Sequence, residues 1–339
     1  MAGTLRMGGL HNPLMGEFDL IQHFFQRESK AADGVASGVA LGIGDDCAVL
    51  TPTPGMQWLI SSDMLVEGRH FLPTVAPERL GHKALAVNLS DLAACGATPR
   101  AFMLALAMPR ADERFLAGFV KGLFALADAQ GITLIGGDTT QGPLNICITV
   151  MGEAPPGTAL LRSGARAGDD IYVSGQTLGD ARLALEVFRG ALSLPGEQFE
   201  QVRRAMELPQ PRNALGMALR GVATSAVDVS DGLLGDLGHI LKRSAVGAQI
   251  DVDALPRSAI LAAQPLPVQR ECGLSGGDDY ELVFTAPAAA SQAVQHAAQA
   301  SGTVVTRIGR IEAAPGLRLT DAQGQAVPAT AFTSFDHFK

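Results

Sequence analysis

The feature that most constrains the fold of this chain is a series of short clusters in which Asp stands beside Gly, Ser or Thr. Apolar segments precede these clusters, as expected where strands or helices deliver polar groups at their ends. Any single cluster is also explained by a helix cap or a turn. The six clusters are Gly44-Asp45-Asp46, Ser61-Ser62-Asp63, Ser90-Asp91, Gly137-Asp138-Thr139, Asp228-Val229-Ser230-Asp231-Gly232 and Gly276-Gly277-Asp278-Asp279.

Six such clusters together favour a fold in which the ends of the elements converge. Convergence has an electrostatic cost, because two carboxylates about 5 Å apart repel each other by roughly 3 kcal/mol at an effective dielectric constant of about 20. Mg²⁺ relieves that repulsion, and it binds carboxylate, hydroxyl and water oxygens. We therefore predict an Mg²⁺ site with Asp63, Asp91 and Asp138 as its first ligands.

The spacing of apolar residues predicts two α/β domains. At roughly 100 to 200 residues per domain, the 339 residues are enough for two hydrophobic cores. Helical periodicity covers 77–95 and 113–130, and Ala154-Pro155-Pro156-Gly157 interrupts both helical and strand patterns. The predicted parts are an extension at 1–15, an N-terminal Mg²⁺- and ATP-binding domain at 16–153 and a C-terminal domain at 154–339.

Three predicted strands, 39–44, 57–62 and 132–135, run directly into clusters, so we expect carboxylates at strand exits. No Gly-x-x-x-x-Gly-Lys-Ser/Thr loop and no protein-kinase motif set is present. Phosphates must therefore be held in another way. The segment 136–140 would offer free backbone N–H groups, and Arg162 would offer a guanidinium fork.

Composition argues against several classes of partner. The formal net charge is −8 and the basic residues are scattered, so there is no footprint for nucleic acid or an anionic membrane. No apolar run reaches the roughly 18 residues of a membrane span, and we find no signal-peptide pattern. The four cysteines are far apart and form no Cys-x-x-Cys pair, which argues against zinc and disulfides. We expect a cytoplasmic location.

Longer motifs surround the clusters. They read GEF at 16–18, LGIGDDCAVL at 41–50, HKALAVNLSDLAACGA at 82–97, LIGGDTTQGP at 134–143, RSGARAGDDIYVSG at 162–175, DVSDGLLGDLGHI at 228–240, SGGDDYEL at 275–282 and DHF at 336–338. In this order, and over nearly the whole chain, they resemble the thiamine-monophosphate kinases. That family adds a phosphate from ATP to thiamine monophosphate.

The resemblance implies a mixed α/β (α+β) fold of the two-domain, aminoimidazole-ribotide synthetase-like kind. Its N-terminal domains pair into a dimeric β-barrel in a homodimer, and ATP lies between the domains. The implied ligands of several Mg²⁺ ions are Asp46, Ser61, Ser62, Asp63, Asp91, Asp138, Asp228 and Asp231. The implied ATP contacts are Gly137, Asp138, Arg162 and Ser230. The implied contacts to thiamine monophosphate are His70, Asp278 and Phe335.

Two substrate positions depart from the family pattern. Many relatives have Glu where this chain has Asp278, which is one methylene shorter, and often Tyr or Trp where it has Phe335. Phe keeps an aromatic face for the cationic thiazolium ring but has no hydroxyl. His70 follows Glu67-Gly68-Arg69 on a predicted loop, and an isolated His is often structural.

Other functions remain open on the same fold. Selenophosphate synthetase normally carries an early Cys or selenocysteine in a Gly-rich segment, whereas Cys47 lies inside an Asp motif. The hydrogenase-maturation relative ends in a reactive Cys, whereas this sequence ends Asp336-His337-Phe338-Lys339. Aminoimidazole-ribotide synthetase itself would cyclise its substrate and release phosphate. A non-catalytic sensor of ATP or divalent cations would keep the Asp residues and lack turnover.

Overall fold

The computed structural model describes residues 16–27 and 38–332. The part up to Ala154 contains two long helices and a four-stranded sheet. Its helices are α1 (Glu17–Leu20, followed by a π-helical turn at Ile21–Phe25), α2 (Pro77–Ala94) and α3 (Glu113–Gln130). Its strands are β1 (Val39–Leu41), β2 (Val49–Leu50), β3 (Gln57–Val66), β4 (Thr98–Met108), β5 (Thr133–Gln141) and β6 (Asn145–Ala154).

Local sequence explains both long helices, which confirm the predicted ones. Pro77 occupies the first turn of α2, where a missing N–H costs nothing. The Asp112 carboxylate caps α3 by accepting hydrogen bonds from the backbone N–H groups of Arg114 and Phe115, each at 3.1 Å. Gly131 ends α3 in the left-handed conformation, with φ 64°.

The four-stranded sheet has the order β3-β6-β4-β5, so β3 and β5 are its edges. One face packs on α2 and α3 and forms the first core. The other face leaves Ile60, Met64 and Met103 exposed at 64%, 53% and 41%. In the described part of the chain this sheet is open, so one molecule alone forms no closed barrel.

The part after Ala154 is a second α/β unit. Its helices are α4 (Asp180–Phe188), α5 (Gly196–Glu207), α6 (Asn213–Ala218), α7 (Leu233–Ser244), α8 (Ala259–Ala262), α9 (Leu266–Ser275) and α10 (Ser291–Ser301). Its strands are β7 (Asp169–Ser174), β8 (Ser225–Asp228), β9 (Gly247–Asp251), β10 (Leu282–Pro287), β11 (Val305–Glu312), β12 (Gly316–Thr320) and β13 (Ala326–Val327). The seven strands have the order β13-β12-β9-β11-β7-β10-β8, which leaves β8 at one edge.

The C-terminal end of α2 joins the two halves. Ala93 and Ala94 of α2 share a hydrophobic core with Leu215 and Leu219 of the second half. The Asn213 side chain donates a hydrogen bond from Nδ2 to the backbone carbonyl of Leu89 at 3.0 Å. Helix α2 therefore carries its polar residues directly to the edge strand β8. No helix among residues 16–27 and 38–332 is long and apolar enough to cross a membrane.

The expectation that the strand at 57–62 ends at Ser62, with Asp63 at its exit, is wrong. Strand β3 continues to Val66, because Met64-Leu65-Val66 extends the apolar pattern and the ladder with β6 stays in register along the whole strand. Ser61, Ser62 and Asp63 therefore lie inside the strand. Their side chains point alternately to its two faces.

The expectation that the strand at 132–135 ends before the segment 136–140 is also wrong, and phosphate contact by that segment stays a prediction. Strand β5 runs to Gln141, and this segment pairs in parallel with β4. Gly137 is needed for the pairing, because its φ is 146° and a Cβ there would collide with the backbone carbonyl of Leu104. Gly137 therefore allows β5 to pack closely against β4.

Candidate functional site between the two halves

Strand β3 and helix α2 bring the first polar side chains together. Ser61 and Asp63 lie on the same face of β3, because side chains alternate along a strand. The Ser61 hydroxyl donates a hydrogen bond to the Asp91 carboxylate on α2. The backbone N–H of Asp63 donates to Asn88 Oδ1 at 3.0 Å. These bonds hold Asp63 and Asp91 at the same junction.

The second half of the chain adds three more carboxylates. Asp228 ends β8, and its Oδ2 accepts a hydrogen bond from the buried Ser90 hydroxyl of α2 at 2.8 Å. Asp231 follows on the loop before α7. Asp236, in the first turn of α7, accepts hydrogen bonds from the backbone N–H groups of Ser230 and Asp231, each at 3.0 Å. Asp236 therefore fixes the loop that carries Asp231.

Three carboxyl groups of this cluster have raised pKa values. Burial, together with the charges of Asp91 and Asp231, raises the pKa of Asp63 to about 6. Burial raises the pKa of Asp91, although the charge of Arg162 lowers it in part. Burial and the charge of Asp91 raise the pKa of Asp228 well above its ordinary value. Each ionised carboxylate makes ionisation of its neighbours less favourable. A bound cation would remove that cost, so these groups are suited to bind one.

The carboxylates of the cluster suit Mg²⁺ ions whose remaining ligands are waters and substrate phosphate oxygens. In the part of the chain that the structure describes, no group of three or more His, Cys, Asp or Glu side chains could hold a metal ion on its own. Mg²⁺ does not require such a group, because it usually binds one or two carboxylates, several waters and substrate phosphate oxygens. Asp63, Asp91 and Asp228 match that pattern. Tight binding of Mg²⁺ at this cluster would therefore require a bound phosphorylated substrate.

A cavity of about 560 Å³ opens beside the cluster and is lined by both halves of the chain. Ser61, Asp91 and Asp228 provide polar lining, and Arg162 and Arg243 provide cationic groups. Apolar lining comes from Leu59, Ile60, Leu92, Ala94, Leu160, Leu161, Ala226 and Val227. This combination suits a ligand with a flat apolar part and an anionic part.

The predicted substrate residue Asp278 is tied to a buried lysine. The Lys83 ammonium group of α2 is 2% exposed and donates to Asp278 Oδ2 at 2.5 Å. The backbone N–H groups of Asp278 and Tyr280 donate to the carbonyls of Ser230 and Val229, each at 2.8 Å. Asp278 and Tyr280 both adopt left-handed φ values, 71° and 53°. The loop is thus fastened to the segment that carries Asp228 and Asp231.

An ion pair anchors this loop where it enters β10. Glu281 is 4% exposed. Its two carboxylate oxygens accept hydrogen bonds from Arg212 at 2.7 and 2.5 Å. The Ser174 hydroxyl donates to the same carboxylate at 2.5 Å. The strained backbone before Glu281 is therefore held by a satisfied, buried network.

Several predicted residues lie away from the cluster in a single chain. Ser62 faces the other side of β3, where its hydroxyl contacts Thr149 Oγ1 at 2.9 Å. Asp46 is exposed, and its backbone N–H donates to Asp45 at 2.9 Å. Gly137 and Asp138 lie on the opposite edge strand, three strands from β3, or roughly 14 Å at the usual strand spacing. Their assignments stay predictions.

The remaining predicted substrate residues are only partly described. His70 follows β3, and its Nδ1 accepts a hydrogen bond from the backbone N–H of Val66 at 3.0 Å. That bond stabilises the turn after the strand. Phe335 lies outside the described residues, as does the motif at 336–338.

Sequence reasoning missed three residues of this region: Lys83, Asp236 and Tyr280. Lys83 had a signal, because a lone Lys inside an apolar helical stretch indicates a buried ion pair. Asp236 had another, because it falls in the first helical turn after the predicted Asp231 loop, where carboxylates bind free N–H groups. Tyr280 gave no usable signal, since its burial depends on the fold of the distant first half.

Comparison with known proteins places the chain in a family. Residues 44–154 match the model "AIR synthase related protein, N-terminal domain", and residues 166–322 match "AIR synthase related protein, C-terminal domain". The thiamine-monophosphate kinase of Salmonella typhimurium strain LT2 is 44% identical over 329 residues, 95% of this chain and 98% of the relative. The chain belongs to the thiamine-monophosphate kinase family.

Solved structures of thiamine-monophosphate kinases share its fold. The crystal structure of the enzyme from Stenotrophomonas maltophilia K279a is 45% identical with a TM-score of 0.81, covering 88% of this chain and 95% of that one. A structure described as "AaThiL complexed with AMPPCP and TMP" is 29% identical with a TM-score of 0.72, covering 96% and 97%. The predicted two-domain, aminoimidazole-ribotide synthetase-like fold is confirmed.

Proposed function

We propose that this member of the thiamine-monophosphate kinase family transfers the γ-phosphate of ATP to thiamine monophosphate. The products are thiamine diphosphate and ADP. The observation that carries the proposal is the cluster of Ser61, Asp63, Asp91 and Asp228 at the junction of the two halves, beside a large cavity. Support also comes from the names of the curated relatives and from the related complex with AMPPCP, an ATP analogue, and TMP.

The reaction requires two polyanions to meet. The phosphate of a monoester has a second pKa near 6, so the acceptor is mostly a dianion at neutral pH and needs no general base. One of its oxygens attacks the γ-phosphorus in line. The new P–O bond forms as the bond to the bridging oxygen breaks, and that oxygen leaves with ADP. No phosphoenzyme is formed.

The carboxylates would hold several Mg²⁺ ions. When bound, Mg²⁺ would neutralise the negative charge of the phosphates. We assign Asp63, Asp91, Asp228 and Asp231 as ligands. Ser61 orients the Asp91 carboxylate through its hydrogen bond.

ATP and the acceptor would occupy different sides of the cluster. We assign Arg162 to the ATP phosphates, because it lines the large cavity and its charge reaches Asp91. Ser230 is the second ATP contact that we assign. On the acceptor side we keep His70, Asp278 and Phe335 for thiamine monophosphate. Asp278 is positioned by Lys83 and its charge is largely compensated, so the aromatic residue carries more of the recognition of the thiazolium ring.

We also propose the homodimer whose sheets pair into a barrel. The sheet face with Ile60, Met64 and Met103 supports this, because three large exposed apolar side chains on one face are typical of an interaction surface. In such a barrel, β5 of one chain would neighbour β3 of the other. That pairing would bring Gly137 and Asp138 to the partner's cluster and complete the set of metal and ATP contacts.

Two further predictions stay proposals. Of the domain limits 1–15, 16–153 and 154–339, the boundary between the second and third is supported by the end of β6 at Ala154 and by the gap between the matched models. The cytoplasmic location is supported by the four cysteines, which stand far apart in the sequence and form no Cys-x-x-Cys pair.

Incubation of the purified protein with ATP, Mg²⁺ and thiamine monophosphate tests the proposed reaction. Chromatography should show thiamine diphosphate and ADP in equal amounts. Phosphate release without thiamine diphosphate would indicate a hydrolytic or cyclising relative. Absence of both ADP and thiamine diphosphate would indicate a non-catalytic sensor.

A further inference from the structure

A second cavity, of about 440 Å³, has an unusual lining. It is formed by Arg162, His239, Lys242 and Arg243. Three of these side chains are permanently cationic at neutral pH, and the fourth is an imidazole. In a chain with a formal net charge of −8, such a lining calls for an explanation.

The cations come from two separate parts of the chain. His239, Lys242 and Arg243 lie on the last two turns of α7, and the spacing of three and four residues places them on neighbouring positions of the helix surface. Cations at a helix C-terminus interact favourably with its dipole, which accounts for Lys242 and Arg243 individually. It does not account for Arg162, which arrives from the segment before β7.

Some exposed arginines of the described residues have carboxylate partners, as Arg27 has Asp128 and Arg307 has Asp170. Within residues 16–27 and 38–332, no carboxylate forms an ion pair with His239, Lys242 or Arg243. Their charges face the cavity and solvent. A cluster of uncompensated cations around a cavity is the arrangement that binds a multiply charged anion.

The basic cavity adjoins the cavity that lies beside the carboxylate cluster. Arg162 and Arg243 line both cavities. Burial raises the pKa values of Asp91 and Asp236, and the charge of Arg162 offsets part of that rise, so Arg162 lies within electrostatic range of the cluster. A ligand that spans both cavities must therefore present oxygen ligands to a metal site at one end and negative charge to arginine and lysine at the other.

We infer that His239, Lys242 and Arg243, with Arg162, form a subsite for the phosphate chain of the nucleotide. A nucleoside triphosphate has the required length and charge, and Arg and Lys bind phosphate oxygens well. Thiamine monophosphate is the weaker candidate, because its predicted contacts His70 and Asp278 line neither cavity. This inference rests on the proposed function, since it assigns new residues to the same nucleotide.

Calorimetric titration of ATP and of adenosine into the full-length protein with Mg²⁺ tests the subsite. The variant carries both Lys242→Gln and Arg243→Gln, which replace exposed side chains. Loss of two charge-assisted phosphate contacts should weaken ATP binding about tenfold or more and leave adenosine binding within about twofold. The ATP affinity of the double variant should also depend less on salt concentration than that of the wild type. Arg114→Gln, an exposed position on α3 outside both cavities, is the matched control.

The outcomes separate the inference from the proposed function. Unchanged ATP affinity in the double variant, or an equal loss for adenosine, would overturn the subsite. If the wild-type protein binds ATP but forms no thiamine diphosphate, the proposed function fails and the subsite is still judged by the titration. Circular dichroism of the variants checks that the fold is intact, and the single variant Arg243→Gln provides a milder second test.

Discussion

The buried ammonium group of Lys83 determines the position of Asp278 in the predicted substrate loop. The Lys83 ammonium group is 2% exposed and bonds to Asp278, whose side chain is 31% exposed. Asp278 also has a left-handed backbone, a conformation that Asp adopts at a modest cost. Removal of one partner from a buried pair leaves the other charge uncompensated. Lys83 is therefore expected to control the position of Asp278.

Lys83→Met should release Asp278 from this position. Because Asp278 can still reach water, the free energy of unfolding should fall by only about 1–3 kcal/mol, whereas the KM for thiamine monophosphate should rise about tenfold. Urea unfolding and steady-state kinetics measure the two effects. Lys121→Met, at a side chain that is 69% exposed, is the matched control. An unchanged KM in Lys83→Met would show that the pair does not position the loop.

Asp180 provides a pH-dependent term in stability. It is 3% exposed, and burial raises its pKa to about 6 although the Ser258 hydroxyl donates to it at 2.7 Å. The folded protein therefore holds this proton more tightly than the unfolded chain, in which the pKa of Asp is about 3.9. Stability from this group is complete below pH of about 4 and is lost as the pH rises through about 6.

Asp180→Asn does not titrate and should escape that loss. Relative to the wild type, its free energy of unfolding should increase by up to about 3 kcal/mol between pH of about 4 and about 8. Urea unfolding at three pH values measures the trend. Asp112→Asn should stay nearly flat over this range, because the backbone N–H of Phe115 lowers the pKa of Asp112 and its titration falls below a pH of about 4. A flat difference between Asp180→Asn and wild type would contradict the account.

The edge strands show where local sequence misleads. Helices α2 and α3 could be predicted, because their caps and apolar periodicity lie within a few residues. The ends of β3 and β5 could not, because polar residues and glycines usually end strands. Here the neighbouring strands β6 and β4 continue the pairing through Asp63 and Gly137. Pairing between distant segments thus overrides local preference.

Two adjacent glycines of β5 test this interpretation. Gly137→Ala would place a Cβ against the Leu104 carbonyl at a φ of 146°, so it should destabilise the protein by at least about 2 kcal/mol. Gly136→Ala meets no atom within 4 Å and should change stability by less than about 1 kcal/mol. Thermal unfolding compares them. Equal melting temperatures would mean that β4 and β5 do not approach closely at Gly137.

At the scale of the whole molecule, the convergence of carboxylates was predictable and its details were not. The clusters that contain Asp63, Asp91 and Asp228 pointed to one site, and the structure brings these three together. The same reasoning could not pair Lys83 with Asp278, since the two residues are 195 positions apart in the chain. Sequence reasoning also could not show that Asp138 lies on the opposite edge of the sheet, because local sequence does not determine the order of strands.

A mixture of two inactive variants tests the proposed dimer. If Asp138 completes the partner's site, Asp63→Asn and Asp138→Asn should each be nearly inactive alone. After mixing and subunit exchange, about a quarter of the wild-type activity should return, because half of the dimers are mixed and half of their sites are complete. Analytical ultracentrifugation checks the dimer itself. No recovery from a demonstrably mixed dimer would place Asp138 outside the partner's site.

The rate of thiamine diphosphate formation by Asp91→Asn at saturating ATP, thiamine monophosphate and Mg²⁺ is the most direct test of the central claim. That claim is that carboxylates from both halves of the chain allow two phosphates to approach. We predict a loss of at least about 100-fold with the fold retained, and Asp112→Asn within about twofold of wild type. A near-normal rate in Asp91→Asn would contradict the account.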